Sequence, residues 1–237
     1  MQVRIYKDAA TVAKAAAAVF ADEITKKDGC VIGLATGSTP VPTYQELIRL
    51  NKEGVVDFSK VISYNLDEYV GLAPDHPCSY RRFMNEQLFD HINIDKANTH
   101  VPDGLKCNAA DYEEMIHQAG GVDLQLLGIG TDGHIGFNEP ADEFVYPTNV
   151  VKLTEGTRKD NARFFNSLDE VPTSAISMGI GTIMSARRIL MIITGKNKAD
   201  TVVAALKGPV APQMPASILR MHQNVLVLLD EDAASKL

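Results

Sequence analysis

Long apolar runs are missing from this 237-residue chain: the longest, Ala15 to Ala21, covers seven residues, against the roughly 18 needed to cross a bilayer as a helix. No membrane span is expected. A basic segment followed by an apolar stretch and a small-residue cleavage site is also absent from the N-terminus, so no secretory signal is predicted. Cysteine is scarce. Cys30, Cys78 and Cys107 are odd in number and lack CxxC spacing, which suits reduced packing thiols in the cytoplasm better than a disulfide framework or a zinc site. Cations are outnumbered, with 23 Lys and Arg against 30 Asp and Glu and a formal charge of −7. A polyanion is repelled by such a surface, so nucleic acid is not an expected partner. Linkers rich in Pro, Gly or Ser, low-complexity tracts and repeats are lacking too, and one domain over residues 1–237 is the simplest organisation.

What is present is a repeated grammar of apolar strand, polar loop and helix. Asp8 to Lys27 places Val12, Ala16, Val19, Phe20 and Ile24 at helical spacing, with Asp8 as N-cap and Gly29 as a stop. Val31 to Ala35 then reads as a buried strand, and Val41 to Leu50 as the helix that follows. Val61 to Asn65, Leu124 to Ile129, Ile189 to Thr194 and Val225 to Asp230 supply further strands. Continuous apolar strands alternating with helices predict a three-layer, Rossmann-like α/β fold. Its central sheet is mostly parallel and covered by helices on both faces. Ligands in such sheets sit beyond the carboxyl ends of the strands.

Polar clusters lie at those ends. Thr36-Gly37-Ser38-Thr39-Pro40 offers hydroxyls and amides at the start of a helix, where anions are favoured. An ordinary capped strand-to-helix turn describes it equally well, and without Gly-Lys-Ser/Thr it is no Walker loop. Asn65 to Gly71 contains Asp67 and Glu68. Adjacent carboxylates at a buried strand end are costly unless solvated, paired or used. Solvated loop acids are the commoner outcome, and alternation along a strand turns only one of the two into a site. Gly128 to Pro140 contains a literal GxGxxG, but a dinucleotide fingerprint opens a helix, and Gly133, Gly136 and Pro140 break one here. The remaining irregular loop holds Asp132, His134 and Glu139. A histidine oriented by carboxylates suits proton transfer near neutral pH. A satisfied structural histidine is the alternative, and no familiar zinc spacing supports a metal. Arg158, Arg163, Lys196 and Lys198 are solvated charges unless gathered around an anion, as an arginine can grip one with two bonds.

Four segments resemble the glucosamine-6-phosphate deaminase family: Leu34 to Pro40, Asn65 to Leu72, His76 to Tyr80 and Gly130 to Pro140. Arg158 to Phe165 and Gly195 to Ala199 extend the likeness over almost the whole chain, in order and at family-like spacing. The resemblance implies conversion of glucosamine 6-phosphate and water to fructose 6-phosphate and ammonium, with no redox cofactor and no metal. It assigns ring opening to His134, positioned by Asp132 and Glu139, and the C2-to-C1 proton shift to Asp67. It assigns the phosphate to Thr36, Gly37, Ser38, Thr39, Arg163 and Lys198. Residues from about 153 to 176 resemble the family's lid. The arm from Ala141 to Lys152 carries Asp142 and Glu143 before its single lysine, so activation by N-acetylglucosamine 6-phosphate is not expected. Because the C-terminus is short beside larger family members, a monomer is expected, with a small homo-oligomer left open. Rivals are a 6-phosphogluconolactonase, which shares an Asp-Gly-His loop but not Phe137-Asn138-Glu139-Pro140 or Tyr69, and a non-catalytic sugar-phosphate sensor, which needs neither Asp67 nor His134.

Overall fold

Strand β1 (Gln2–Tyr6) leads into α1 (Ala9–Lys26), whose N-cap Asp8 accepts from the Thr11 amide at 2.8 Å. Loss of such a cap costs about 1 kcal/mol. The helix buries Val12, Ala13, Ala16, Ala17, Phe20 and Ile24, while Val19 of the anticipated stripe is only half-buried. The chain continues through β2 (Val31–Leu34), α2 (Val41–Lys52), β3 (Ile62–Asn65), β4 (Asp67–Tyr69), α3 (Tyr80–Gln87), β5 (Thr99–His100), α4 (Ala109–Gln118) and β6 (Leu124–Leu127). The second half runs β7 (Asn149–Lys152), α5 (Glu155–Asn161), β8 (Ser174–Ser177), α6 (Ile180–Met184), β9 (Arg188–Ile193), α7 (Ala199–Lys207) and β10 (Val225–Asp230). This computed structural model describes residues 1–237, the side chain of Asp160 apart.

Seven strands form one sheet in the order β1-β10-β9-β6-β2-β3-β5, with every pairing parallel. The inner strands β2, β6, β10 and most of β9 are buried on both faces, which is why they read as largely apolar runs, Gln125 in β6 and the terminal Asp230 of β10 apart. From β2 the chain moves outward through β3 to β5, then returns to β6 on the other side of β2. The crevice beyond β2 and β6 is therefore the topological switch point, where doubly wound sheets bind ligands. The predicted fold class is borne out. Among the described residues, no helix is long and apolar enough to cross a membrane.

Two features were not anticipated. Edge strand β1 is exposed along most of its length, so it lacks the apolar run that marks its neighbours. A second, antiparallel sheet, β4-β8-β7, packs at the site. Its strands are only three or four residues long, and β4 reads Asp-Glu-Tyr, a sequence that looks like a loop. This sheet also trims the anticipated lid. Residues 174–176 belong to β8, the middle strand, where Ala175 and Ile176 are fully buried.

Candidate active site

Three backbone segments converge at the switch point. After β2 the chain turns sharply at Gly37, whose φ of +95° is a left-handed conformation that glycine adopts without steric cost. The buried Tyr44 hydroxyl donates to the Ala35 carbonyl and fixes the turn from below. Among the described residues, no hydrogen bond takes up the amides of Gly37, Ser38 or Thr39, at the start of α2. Donors without acceptors at a helix N-terminus suit an anion.

The second segment carries the paired acids, and the fold treats them in opposite ways. Pairing of β4 with β8, Asp67 opposite Ser177, sets Asp67 toward the cavity with 6 % of its surface exposed. No hydrogen bond reaches its carboxyl among the described residues. Burial, with the Glu68 charge adding, pushes it up to about 8. Glu68 turns the other way. Its Oε1 accepts the amides of Tyr69 at 2.8 Å and Tyr80 at 3.0 Å, and its Oε2 that of Arg81 at 2.9 Å. Burial pushes Glu68 up as well, while these amides, two of them at the N-terminus of α3, pull it back.

The third segment, residues 128–140, is irregular throughout, in line with rejection of the dinucleotide fingerprint. His134 Nδ1 lies 2.7 Å from Asp132 Oδ1, and the His134 amide donates to the same oxygen at 3.2 Å. Burial raises the Asp132 carboxyl, but its bonds to His134 and the imidazole charge outweigh this and hold it at about 2. An ionised Asp132 beside Nδ1 favours the tautomer with Nδ1 protonated, leaving Nε2 as the working nitrogen. Gly130 is required for this pairing, because a Cβ there would lie 2.2 Å from the imidazole.

Glu139 departs from the reading that placed it beside His134. Positive φ at Gly136 (+58°) and a bridge between Ile135 and Asn138 turn the chain, and the Asn138 amide group donates to the Met178 carbonyl at 2.8 Å. The Glu139 carboxylate consequently faces α5, where it accepts from the Thr157 hydroxyl. No hydrogen bond or ion pair joins Glu139 to His134 among the described residues.

The segments enclose a cavity of about 340 Å³ lined by Thr36 to Thr39, Asp67, His134 and Arg163. A neighbouring hollow of about 660 Å³ shares Gly37, Ser38, Thr39, His134 and Arg163 and adds Thr194 and Lys198. Lys198 Nζ donates to the Ile129 carbonyl at 2.8 Å, which holds the ammonium at the carboxyl end of β6. The Arg163 guanidinium lies 4.7 Å from the Phe164 ring centroid. Every predicted site residue except Asp132 and Glu139 thus lines one of two adjoining spaces. Asp132 and Glu139 stand behind them, holding His134 and α5.

The sequence profile of the family described as glucosamine-6-phosphate isomerases/6-phosphogluconolactonase matches residues 7–228. The chain belongs to this family. Among its relatives is a glucosamine-6-phosphate deaminase of Shewanella woodyi, 54% identical over 241 residues that span 100% of this chain and 91% of the relative. One of Clostridium perfringens is 51% identical over 241 residues, covering 100% of both chains. A solved structure described as a monomeric glucosamine-6-phosphate deaminase superposes with a TM-score of 0.97 at 44% identity, with 100% of each chain covered. A 6-phosphogluconolactonase from Thermotoga maritima gives a TM-score of 0.75 at 21% identity, over 97% of this chain and 99% of that one. It shares the fold.

Some contributors in this family member escaped the sequence reading. Tyr69, Tyr80 and Phe137 form an aromatic wall beside Asp67, with the Tyr80 and Phe137 rings stacked at 6.2 Å and the Tyr80 hydroxyl donating to that of Tyr69 at 3.2 Å. All three fell within quoted motifs, but nothing local in sequence brings three rings from separate segments together. Cys78 is more than the packing residue anticipated: it lines the cavity, and its thiol lies 3.0 Å from the Phe164 carbonyl. Cys30 fits the expectation, being fully buried with its thiol pushed up to about 12.

Proposed function

We propose that the protein is a glucosamine-6-phosphate deaminase, converting glucosamine 6-phosphate and water to fructose 6-phosphate and ammonium. The observation that carries this reading is Asp67, a buried carboxyl without a donor of its own, in one cavity with an anion-binding turn and an Asp-oriented histidine. A base that no hydrogen bond satisfies, set in a low-dielectric pocket, is fit to take a proton from carbon.

In this scheme the amides and hydroxyls of Thr36, Gly37, Ser38 and Thr39 hold the substrate phosphate, aided by Arg163 and Lys198. Binding energy at that end fixes the sugar carbons against Asp67. His134, kept in one tautomer by Asp132, takes the proton from O1 and delivers it to O5, which opens the ring. Asp67 removes the C2 proton to give a cis-enolamine and returns it to C1, leaving an imine at C2. Water adds to C2, the C2–N bond breaks, and ammonium and the ketose depart. The aromatic wall of Tyr69, Tyr80 and Phe137 limits water around Asp67 during the proton shift. Residues 154–172 act as the lid that brings Arg163 over the phosphate.

The protein functions as a monomer in this reading, like the solved deaminase described as monomeric. A cytoplasmic site of action suits a doubly charged sugar phosphate that does not cross a bilayer unaided. The lactonase alternative rests on neighbours at 20–22% identity, a likeness of fold, whereas relatives near 50% identity carry the deaminase name. Purified protein given glucosamine 6-phosphate is expected to release ammonium and fructose 6-phosphate in equal amounts, at a rate unchanged by N-acetylglucosamine 6-phosphate. Hydrolysis of 6-phosphogluconolactone without ammonium release would overturn the assignment. Binding without turnover of either compound would make the protein a sensor.

A further inference from the structure

Residues 154–172 cross the mouth of the cavity as α5 and two short 3-10 turns, Ala162–Phe164 and Leu168–Glu170. Two polar contacts among the described residues tie this stretch to the body of the protein. The first is the Cys78 thiol on the Phe164 carbonyl. The second, from the Thr157 hydroxyl to Glu139 Oε1, ends on a side chain of the loop that carries His134, five residues upstream.

The surroundings of Thr157 fix the direction of its bond. The residue is 8 % exposed and lines the cavity. Thr154, the N-cap of α5, accepts from the Thr157 amide at 3.2 Å, and its hydroxyl lies 3.3 Å from Thr157 Oγ1. The Thr157 hydroxyl donates to Glu139, and Thr157 Oγ1 accepts from Thr154. The order is Thr154 to Thr157 to Glu139. Arg163 follows six residues after Thr157 on the same stretch. One continuous segment therefore has the proposed phosphate ligand at one end and a grip on the catalytic loop at the other.

We infer that Thr157 is a positioning residue for the reaction: its hydroxyl holds Glu139 and so couples closure of the lid over the phosphate to the placement of the loop bearing His134. The inference rests on the deaminase reading above and on the roles given there to Arg163 and His134. It gives Glu139 a route to influence turnover without touching His134.

The test uses the full-length protein with glucosamine 6-phosphate. Thr157→Val removes the hydroxyl at nearly constant volume and is expected to lower kcat about tenfold or more, the order of effect of one lost bond to a charged group, with KM changed less. Thr157→Ser restores the hydroxyl and should recover most of the loss. In a Glu139→Gln background the valine substitution should cost little more, because its partner is already altered. Valine and serine variants with equal kcat, or valine and glutamine effects that simply multiply, would overturn the coupling. A drop in melting temperature with kcat unchanged would do the same, by making Thr157 purely structural. Failure of the wild type to release ammonium would instead sink the reading beneath it, so the two failures are distinguishable.

Discussion

The cavity has two walls built on different principles. Its floor, around Asp67, belongs to two sheets at once: β3 and β4 are separated by Leu66 alone, whose amide donates to Leu34 in the large sheet and whose carbonyl accepts from Met178 after β8. Asp67 therefore sits at a junction where neither sheet can shift without the other. The opposite wall, residues 154–172, is hydrogen-bonded to the body through the side chains of Cys78 and Thr157 among the described residues, and otherwise rests on packing such as Phe165 edge-on against Tyr69. Rigid placement suits a base that must meet adjacent carbons within a fraction of an ångström, while a lightly tethered wall suits a group that must admit a ligand and then enclose it. On the function proposed above, proton transfer belongs to the floor and capture to the lid.

The largest expected effect breaks the floor. Asp67→Asn keeps the shape of the side chain and removes the base, so kcat should fall by roughly 10²–10⁴, the usual contribution of a general base, with KM nearly constant. Equal loss in both parameters would mean that Asp67 holds substrate instead. The same variant bears on stability. Because the Asp67 carboxyl is raised from 3.8 to about 8 in the folded protein, the fold binds that proton more tightly than the unfolded chain does. Its stabilising effect is fully present below 3.8 and is lost as pH rises through about 8. The asparagine of the variant does not titrate, so the stability of the variant relative to wild type should increase over that window, as denaturant midpoints at pH 5 and pH 8 would reveal.

A smaller effect is expected from the lid. Arg163→Ala should raise KM roughly 10- to 100-fold, as for one lost bond between charged groups, and leave the proton shift itself less affected. A variant in which kcat collapses while KM stays constant would abolish the distinction between the walls.

The difference between the walls also explains what could be read in advance. The parallel sheet was legible because strands buried on both faces are mostly apolar, as β2, β6, β9 and β10 are apart from Gln125 and the terminal Arg188 and Asp230. The turn after β2 and the irregular course of the loop from Gly128 to Pro140 were legible because glycine frees the backbone and proline fixes it in ways that break a helix. The small sheet was not, since three residues with two acids give no periodicity. Glu139 was misplaced for a related reason: proximity along the loop suggested His134, whereas left-handed Gly136 and the anchoring of Asn138 on Met178 send its side chain to α5. Thr157 gave no signal at all, because a threonine in a surface helix becomes distinctive only when the carboxylate opposite it is known.

The smallest expected effect separates the two adjacent acids of the floor. The acid limb of kcat/KM reports the free enzyme's essential base, and for Asp67 it should fall near pH 8. Tyr44, Tyr69 and Tyr80, which neighbour Asp67, have hydroxyls raised by burial and stay neutral there. Glu68 is the charge that works against ionisation of Asp67, so Glu68→Gln should move the limb to lower pH. The glutamine still accepts amides through its oxygen but presents an NH2 group to one of the three donors, at a cost of about 1–3 kcal/mol in stability. A limb that does not move while stability falls would show that Glu68 serves only to hold the backbone amides and that Asp67 owes its raised affinity for a proton to burial, and one that moves up would contradict the repulsion.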